Sequence, residues 1–385
     1  MSIVETIRIS RRDSAIVQKL KAIDWTFVFL LVAIASVGFA MLYSVASGSL
    51  DPWAWKQMIR FGVGLGIFFV VAFIDIRIWM DLAYPFFAVA LGLLIGVEFF
   101  GVTGMGAQRW LQIGPIQVQP SEIMKLAMVM ALARYYHGIS REQVSQPFYL
   151  FPVLVIIGFP TALVLQQPDL GTAMLLAASG AAIVFLAGLS YRIIVASILL
   201  ALPVVLYAWN NILLDYQKER VFTFLDPSRD PLGAGYNIIQ SMIALGSGGL
   251  FGKGFRQGSQ AQLDFLPEKQ TDFIFTMLGE ELGLVGGAIL IGLYVIVLGY
   301  GISYAVQSRS HFGRLLAMGI CINFFLYMFI NVAMVMGLLP VVGVPLPLVS
   351  YGGTAMLTLM LGFGLLMSVH IHKNSDAPRG SMSLW

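Results

Sequence analysis

Residues 26–46 read TFVFLLVAIASVGFAMLYSVA, without one charged side chain. A helix crosses the hydrocarbon core of a bilayer in about 20 residues, so this stretch reads as one crossing. Similar apolar stretches follow at 58–74, 81–99, 120–136, 148–165, 170–188, 191–209, 272–303, 313–339 and 348–370, each ended by charge, Pro or Gly. In lipid the backbone must satisfy its own hydrogen bonds, which makes these stretches helices and not strands. Composition agrees: 58% of residues are hydrophobic and 11% charged, with a mean hydropathy of +0.84, against about 25% charged in a soluble domain. The expected fold class is an all-α polytopic membrane protein of about ten transmembrane helices. A long extracytoplasmic loop, 210–271, separates the seventh from the eighth.

Orientation follows from Lys and Arg, which concentrate on the cytoplasmic side. With the N-terminus inside, the inner segments carry Arg8, Arg11, Arg12, Lys19, Lys21, Arg77, Arg134, Arg141, Arg192, Arg309, Arg314, Lys373 and Arg379. The short outer loops carry only Lys56, Arg60 and Arg109. The chain therefore divides into a cytoplasmic segment 1–25, one membrane domain 26–370 and a cytoplasmic tail 371–385. Its expected location is the cytoplasmic (inner) membrane, with no removable signal peptide. The 23 Lys and Arg nearly balance the 20 Asp and Glu, so there is no broad basic field for nucleic acid. Cys321 is the single cysteine, which excludes an intrachain disulfide.

The outer loop is glycine-rich, with Gly233, Gly235, Gly246, Gly248, Gly249, Gly252, Gly254 and Gly258. Between them Ile238, Ile239, Met242, Ile243 and Leu245 repeat at helical spacing, which predicts a helix along the membrane interface. A phosphate-loop reading of GSGGLFGKG fails. Five residues, not four, separate Gly246 from Gly252, and Gly254 replaces the Ser or Thr that should follow Lys253. No nucleotide is expected. All four histidines (His137, His311, His370, His372) fall on the inner side, so acid–base chemistry outside must come from carboxylates, Tyr or Lys.

Ionisable residues beside apolar stretches are costly unless paired or in a polar cavity. Glu122 and Lys125 stand three apart on one helix face, and Asp169 opens the sixth stretch near the same outer level. They read either as a salt-bridge cluster holding helices together or as the lining of an outward cavity for a charged head group; the two are compatible. Asp272 ends the outer loop in FLPEKQTDFIFTMLGEELG. It reads as a helix cap or as a functional carboxylate. Glu280 and Glu281, two turns on, would pair with an inward-facing cation or join a partner surface.

Four blocks carry a resemblance to a known family. They are the 221–287 block VFTFLDPSRDPLGAGYNIIQ…DFLPEKQTDFIFTMLGEELGLVGG, GAQRWLQIGPIQVQPSEIMKLA at 106–127, QQPDLGTA at 166–173 and GLLPVVGVPLPLVSYGGT at 337–354. Together, and in this order on a ten-span frame, they resemble the SEDS (shape, elongation, division and sporulation) proteins. VVGVPLPLVSYGG and DPLGAGYNIIQ look more like the elongation member than the division member. Gln270 departs from the family pattern, where His commonly precedes Thr-Asp.

The resemblance implies a peptidoglycan glycosyltransferase that polymerises lipid II outside the cytoplasmic membrane. It works beside a class B penicillin-binding protein and other elongation-complex proteins. The family's critical outer-loop aspartate maps onto Asp272, implied as general base for the acceptor hydroxyl. Arg220, Lys125, Arg109 and Trp110 are the substrate-binding candidates. Glu122, Asp169, Ser350 and Tyr351 are the candidates for a supporting network. A divalent cation, Mg or Mn, is expected from the family. The rival readings are a lipid II flippase, the division-type paralogue and a non-catalytic subunit that activates its transpeptidase.

Overall fold

The computed structural model describes residues 17–375 except 105–106, 115, 212–214, 230–233, 263–265 and 267. Arg8, Arg11, Arg12, Arg379, Gly233 and Asp264 therefore lie outside the described residues.

A helix stands at each of the ten apolar stretches. Before the outer loop come α1 Trp25–Val45, α2 Ala54–Phe73, α3 Ile76–Phe100, α4 Pro120–His137, α5 Pro147–Gln166, α6 Leu170–Leu186 and α7 Tyr191–Asn211. The outer segment adds α8 Asp215–Leu225, α9 Ala234–Ser247 and the short α10 Ser259–Gln262. The chain closes with α11 Ile274–Gln307, α12 His311–Val335 and α13 Gly353–Ile371. Among the described residues seven of these, α1, α2, α3, α5, α11, α12 and α13, are long and apolar enough to cross a membrane. The protein is thus a multi-pass membrane protein, but length and composition alone do not yield ten crossings. Of the remaining three, α6 and the Tyr191–Leu200 part of α7 are shorter apolar helices, and α4 differs for a physical reason. It is buried at nearly every position, packed among α3, α6 and α12. A helix enclosed by protein has no lipid-facing stripe to keep apolar, so α4 can carry Glu122 and Lys125.

Alternation of the helices places the connections 46–53, 101–119, 167–169 and 336–352 and the outer segment at one end of the bundle. Residues 17–24 and 372–375 lie at the other. Between α3 and α4 the chain forms a three-stranded antiparallel sheet, ordered β1 Val102–Gly104, β2 Ala107–Ile113 and β3 Ile116–Val118. Val102 pairs with Trp110 and Leu111 with Val118. The sheet is absent from the helix-only reading, because its strands are too short to stand out against the apolar background.

The expected helix in the outer loop is α9. It buries Ile238, Ser241 and Ala244 and leaves Met242 and Ile243 exposed. The glycines after it serve a break in α11. At Gly283 the backbone turns to φ +68°, ψ −165°, so the carbonyls of Glu280 and Glu281 and the amides of Leu284 and Val285 lose their helical partners. Buried backbone groups must be paired, and the outer loop pairs all four. Leu284 donates to the Gly249 carbonyl (2.9 Å) and Val285 to that of Leu250 (3.1 Å). Lys253 and Gly254 donate to those of Glu280 and Glu281 (both 3.0 Å). Side chains reinforce the clasp. The Glu280 carboxylate, fully buried, accepts from Lys253 Nζ (2.7 Å), Ser259 Oγ (3.0 Å) and the Gln260 amide. Glu281 accepts from Ser44 Oγ (2.5 Å) and the Arg256 amide (3.0 Å). The cation for Glu280 thus comes from the outer loop.

Gly252 is required here on two counts. Its φ is +79°, and a Cβ would run into the Glu281 carbonyl. Gly252→Ala is expected to destabilise the protein by at least the left-handed penalty of about 1–2 kcal/mol, visible as a lower thermal midpoint in detergent. An unchanged midpoint would mean that the clasp contributes nothing.

Candidate active site

A cavity of about 510 Å³ opens at the end of the bundle opposite the described termini. Seven of the nine sequence-derived candidates line it: Arg109, Trp110, Glu122, Lys125, Asp169, Asp272 and Tyr351. Ser350 sits behind the wall, buried. Arg220 lies on α8, and its side chain falls outside the described residues.

One wall is an ion-paired network. Pro120 starts α4, which puts Glu122 in its first turn and Lys125 one turn on. Lys125 Nζ lies 2.6 Å from Glu122 Oε1, both side chains buried. Tyr327 of α12 completes the group: its hydroxyl donates to Glu122 Oε2 (2.6 Å), and Lys125 Nζ sits 4.3 Å from its ring centroid. Asp169 caps α6, accepting from the Thr172 amide at 3.1 Å. Arg109, on β2, donates to the carbonyls of Gln167 and Pro168, and its Nε lies 3.8 Å from Asp169 Oδ2. Arg109 therefore ties the sheet to the start of α6, while Trp110 beside it faces the cavity.

Asp272 lines the same cavity. The cap position of α11 is Phe273, whose side chain makes no capping bond, so Asp272 stands one residue outside the cap assigned to it as the alternative reading. It belongs to a turn that the rest of the protein holds by its backbone. The Tyr351 amide donates to the Gln270 carbonyl (2.9 Å), Ser350 Oγ to that of Thr271 (2.5 Å), and Asn331 Nδ2 to that of Asp272 (2.8 Å). Ser350 Oγ also accepts from the Leu346 amide (2.8 Å), and Gln57 Nε2 donates to the Ser350 carbonyl (2.8 Å). Asp272 Oδ2 lies against Gly343, where a Cβ would stand 3.4 Å away. Glu268 shares the turn and lines the cavity. Its φ is +58°, an uncommon conformation for a residue other than Gly, and its carboxylate accepts from Thr271 Oγ1 at 2.9 Å.

Sequence reading passed over Tyr327 and Asn331. The signal was a polar stripe on α12: Asn323, Tyr327 and Asn331 recur every four residues, the spacing of one helix face. Asn323 Oδ1 accepts from Ser179 Oγ (2.5 Å), so each member of the stripe meets a buried polar partner.

Residues 21–375 match the cell cycle protein family of FtsW, RodA and SpoVE. The chain is 45% identical to the peptidoglycan glycosyltransferase MrdB of Escherichia coli over 352 residues, 91% of this chain and 94% of that protein. The chain belongs to this family. It is also 35% identical to a probable peptidoglycan glycosyltransferase FtsW of Trichlorobacter lovleyi, over 91% of this chain and 94% of that one. Among solved structures, a chain of a peptidoglycan synthase complex that coordinates polymerization and crosslinking superposes with a TM-score of 0.79 at 35% identity. That match covers 92% of this chain and 99% of the other. The rod shape determining protein RodA of Thermus thermophilus superposes at 0.68 with 29% identity, covering 92% and 98%.

In this FtsW/RodA/SpoVE family member, the four blocks that carry the family resemblance all reach the cavity. The 106–127 block supplies Arg109, Trp110, Glu122 and Lys125, and the 166–173 block supplies Asp169 and Thr172. The 221–287 block supplies Glu268, Thr271 and Asp272, and the 337–354 block supplies Val341 to Pro345 and Tyr351 to Thr354.

Proposed function

We propose that this chain polymerises lipid II into β-1,4 glycan during cell elongation, with Asp272 as the general base. The observation that carries the reading is the cavity itself, whose lining brings the Asp272 carboxylate together with Arg109, Lys125 and Trp110. Peptidoglycan glycosyltransferase activity follows from family membership and from the 45% identity to MrdB. That identity exceeds the 35% to the FtsW relative, which favours the elongation type over the division type. A flippase would leave the relatives' glycosyltransferase names without a counterpart here.

In this mechanism Asp272 takes the proton of the acceptor sugar 4-hydroxyl as its oxygen attacks the donor anomeric carbon. The bond to the lipid diphosphate breaks on the opposite face, so the α-linked donor becomes a β-linked product. The leaving group needs charge neutralisation more than a proton; Lys125 and Arg220 are the residues proposed to contact it. Arg109 keeps a positive charge at the cavity wall while holding the 167–168 carbonyls. Trp110 offers an aromatic face to a sugar.

A divalent cation, Mg or Mn, is part of the proposal. Among the described residues no three of His, Cys, Asp and Glu gather as a metal site. Magnesium bound through substrate phosphates, however, needs only one or two protein carboxylates. Asp272 and Glu268, on one turn and both lining the cavity, meet that requirement. Bound there, the cation would offset charge on the diphosphate. Chelation is accordingly expected to suppress polymerisation and added Mg to restore it; full activity in excess chelator would remove the ion from the proposal.

The chain is proposed to lie in the cytoplasmic membrane with both termini inside and the cavity outside. Its proposed partner is a class B penicillin-binding protein, contacted through the helices around 272–339, within a larger elongation complex. The deciding experiment supplies labelled lipid II to the purified protein and its transpeptidase, free of other polymerases. Glycan strands are expected; their absence sinks the enzymatic reading.

A further inference from the structure

Asn331 lies in the apolar helix α12, fully buried, and does not line the cavity. Its amide nitrogen reaches two carbonyls, those of Asp272 (2.8 Å) and Val344 (2.7 Å). Both partners are acceptors, so the side chain must present its NH2 to them. Its Oδ1, also buried, has no hydrogen-bond partner. Buried polar atoms are almost always paired, so packing or helix stability alone would favour an apolar residue here. Asn331 keeps an amide at this position for its two donors.

The two carbonyls belong to segments far apart in the chain. One is the backbone of Asp272 itself. The other lies next to Gly343, the residue against which Asp272 Oδ2 rests. A single side chain on a rigid helix therefore sets the spacing between the carboxylate and the 341–345 loop. Ser350 and the Tyr351 amide hold the two preceding carbonyls, but both come from the α13 side. Asn331 is the link from α12.

We infer that Asn331 is a positioning residue for the polymerisation reaction, tying the Asp272 backbone to the adjoining 341–345 loop and so holding the Asp272 carboxylate where it meets the acceptor hydroxyl. It touches neither substrate nor leaving group and acts through Asp272, so the inference rests on the general-base reading. Misplacement of a reacting group by about 1 Å can reduce a rate by about 10²-fold.

The test is steady-state polymerisation of labelled lipid II by the full chain with its transpeptidase, comparing wild type, Asn331→Leu, Asn331→Ser and Ser179→Ala. Ser179→Ala removes the hydrogen bond by which α6 holds Asn323 of α12 without touching the Asp272 turn. Asn331→Leu is expected to lower kcat by about 10²-fold with KM nearly unchanged, whereas Ser179→Ala keeps the wild-type kcat. Should the Leu variant not fold, Asn331→Ser, which retains one donor on a shorter side chain, is expected to show a smaller fall in kcat at unchanged KM. Wild-type kcat in the folded variants, a rise in KM alone, or an equal loss in Ser179→Ala would each overturn the inference. An inactive Asp272→Asn beside a fully active Asn331→Leu removes only this inference. A fully active Asp272→Asn removes the general-base reading beneath it.

Discussion

Asp272→Asn is expected to reduce glycan polymerisation by about 10²- to 10⁴-fold, the range for loss of a positioned general base, while the protein keeps its fold. Asp272 lies outside the cap position of α11, and its turn is held through backbone carbonyls 270 to 272, which the change leaves in place. Asn matches Asp in size, but an amide cannot take the hydroxyl proton. Assayed from labelled lipid II with the transpeptidase present, the variant should give almost no strand while its thermal midpoint matches wild type. Equal polymer from both proteins would move the base to Glu268 or Asp169, which also line the cavity, or to Asp264, outside the described residues.

The second large effect is expected at the Glu122–Lys125 pair. Both side chains are buried at 2.6 Å, so removing one strands the other charge, a loss of about 3–5 kcal/mol. Lys125→Met should therefore lower the thermal midpoint sharply, leaving Glu122 with the Tyr327 hydroxyl. Glu122→Gln should do the same by leaving Lys125 without its carboxylate. The double variant Glu122→Gln/Lys125→Met contains no lone charge, and its stability is expected to return close to wild type. Its polymerisation is expected to stay low, because the charge proposed to face the diphosphate is gone. Activity that returned together with stability would reduce the pair to scaffolding.

The sequence made some of this legible through short-range rules. The i, i+3 spacing of Glu122 and Lys125 predicts their pairing, and Asp169 before Leu-Gly-Thr predicts a helix start; both hold. The apolar stretches locate the helices because a bilayer imposes one length on all of them. Asp272 was different: local chemistry left it divided between cap and base, and only the resemblance to a family singled it out. What stayed hidden depends on contacts far apart in the chain. No local rule connects Asn331 with Asp272, Ser350 with Thr271, or Gly249 with Leu284. The central burial of α4 was equally invisible, since a protein-enclosed helix and a lipid-exposed one look alike until their neighbours are known. The glycines of the outer loop suggested a missing phosphate loop, when their use is to let one backbone lie against another.

That backbone contact at the break in α11 also fixes chain length. A surface loop ordinarily gains or loses residues at little thermodynamic penalty. Between Gly249 and Gly254, however, two adjacent pairs of bonds, from 249–250 to Leu284 and Val285 and from 253–254 to Glu280 and Glu281, act as a ratchet with one setting. Adding or deleting a single residue there would put the donors of the second pair opposite the wrong carbonyls and leave the ends of both helix halves unpaired. The stretch 249–254 should therefore tolerate changes of side chain at Leu250 and Phe251, which point outward, far better than any change in the number of its residues.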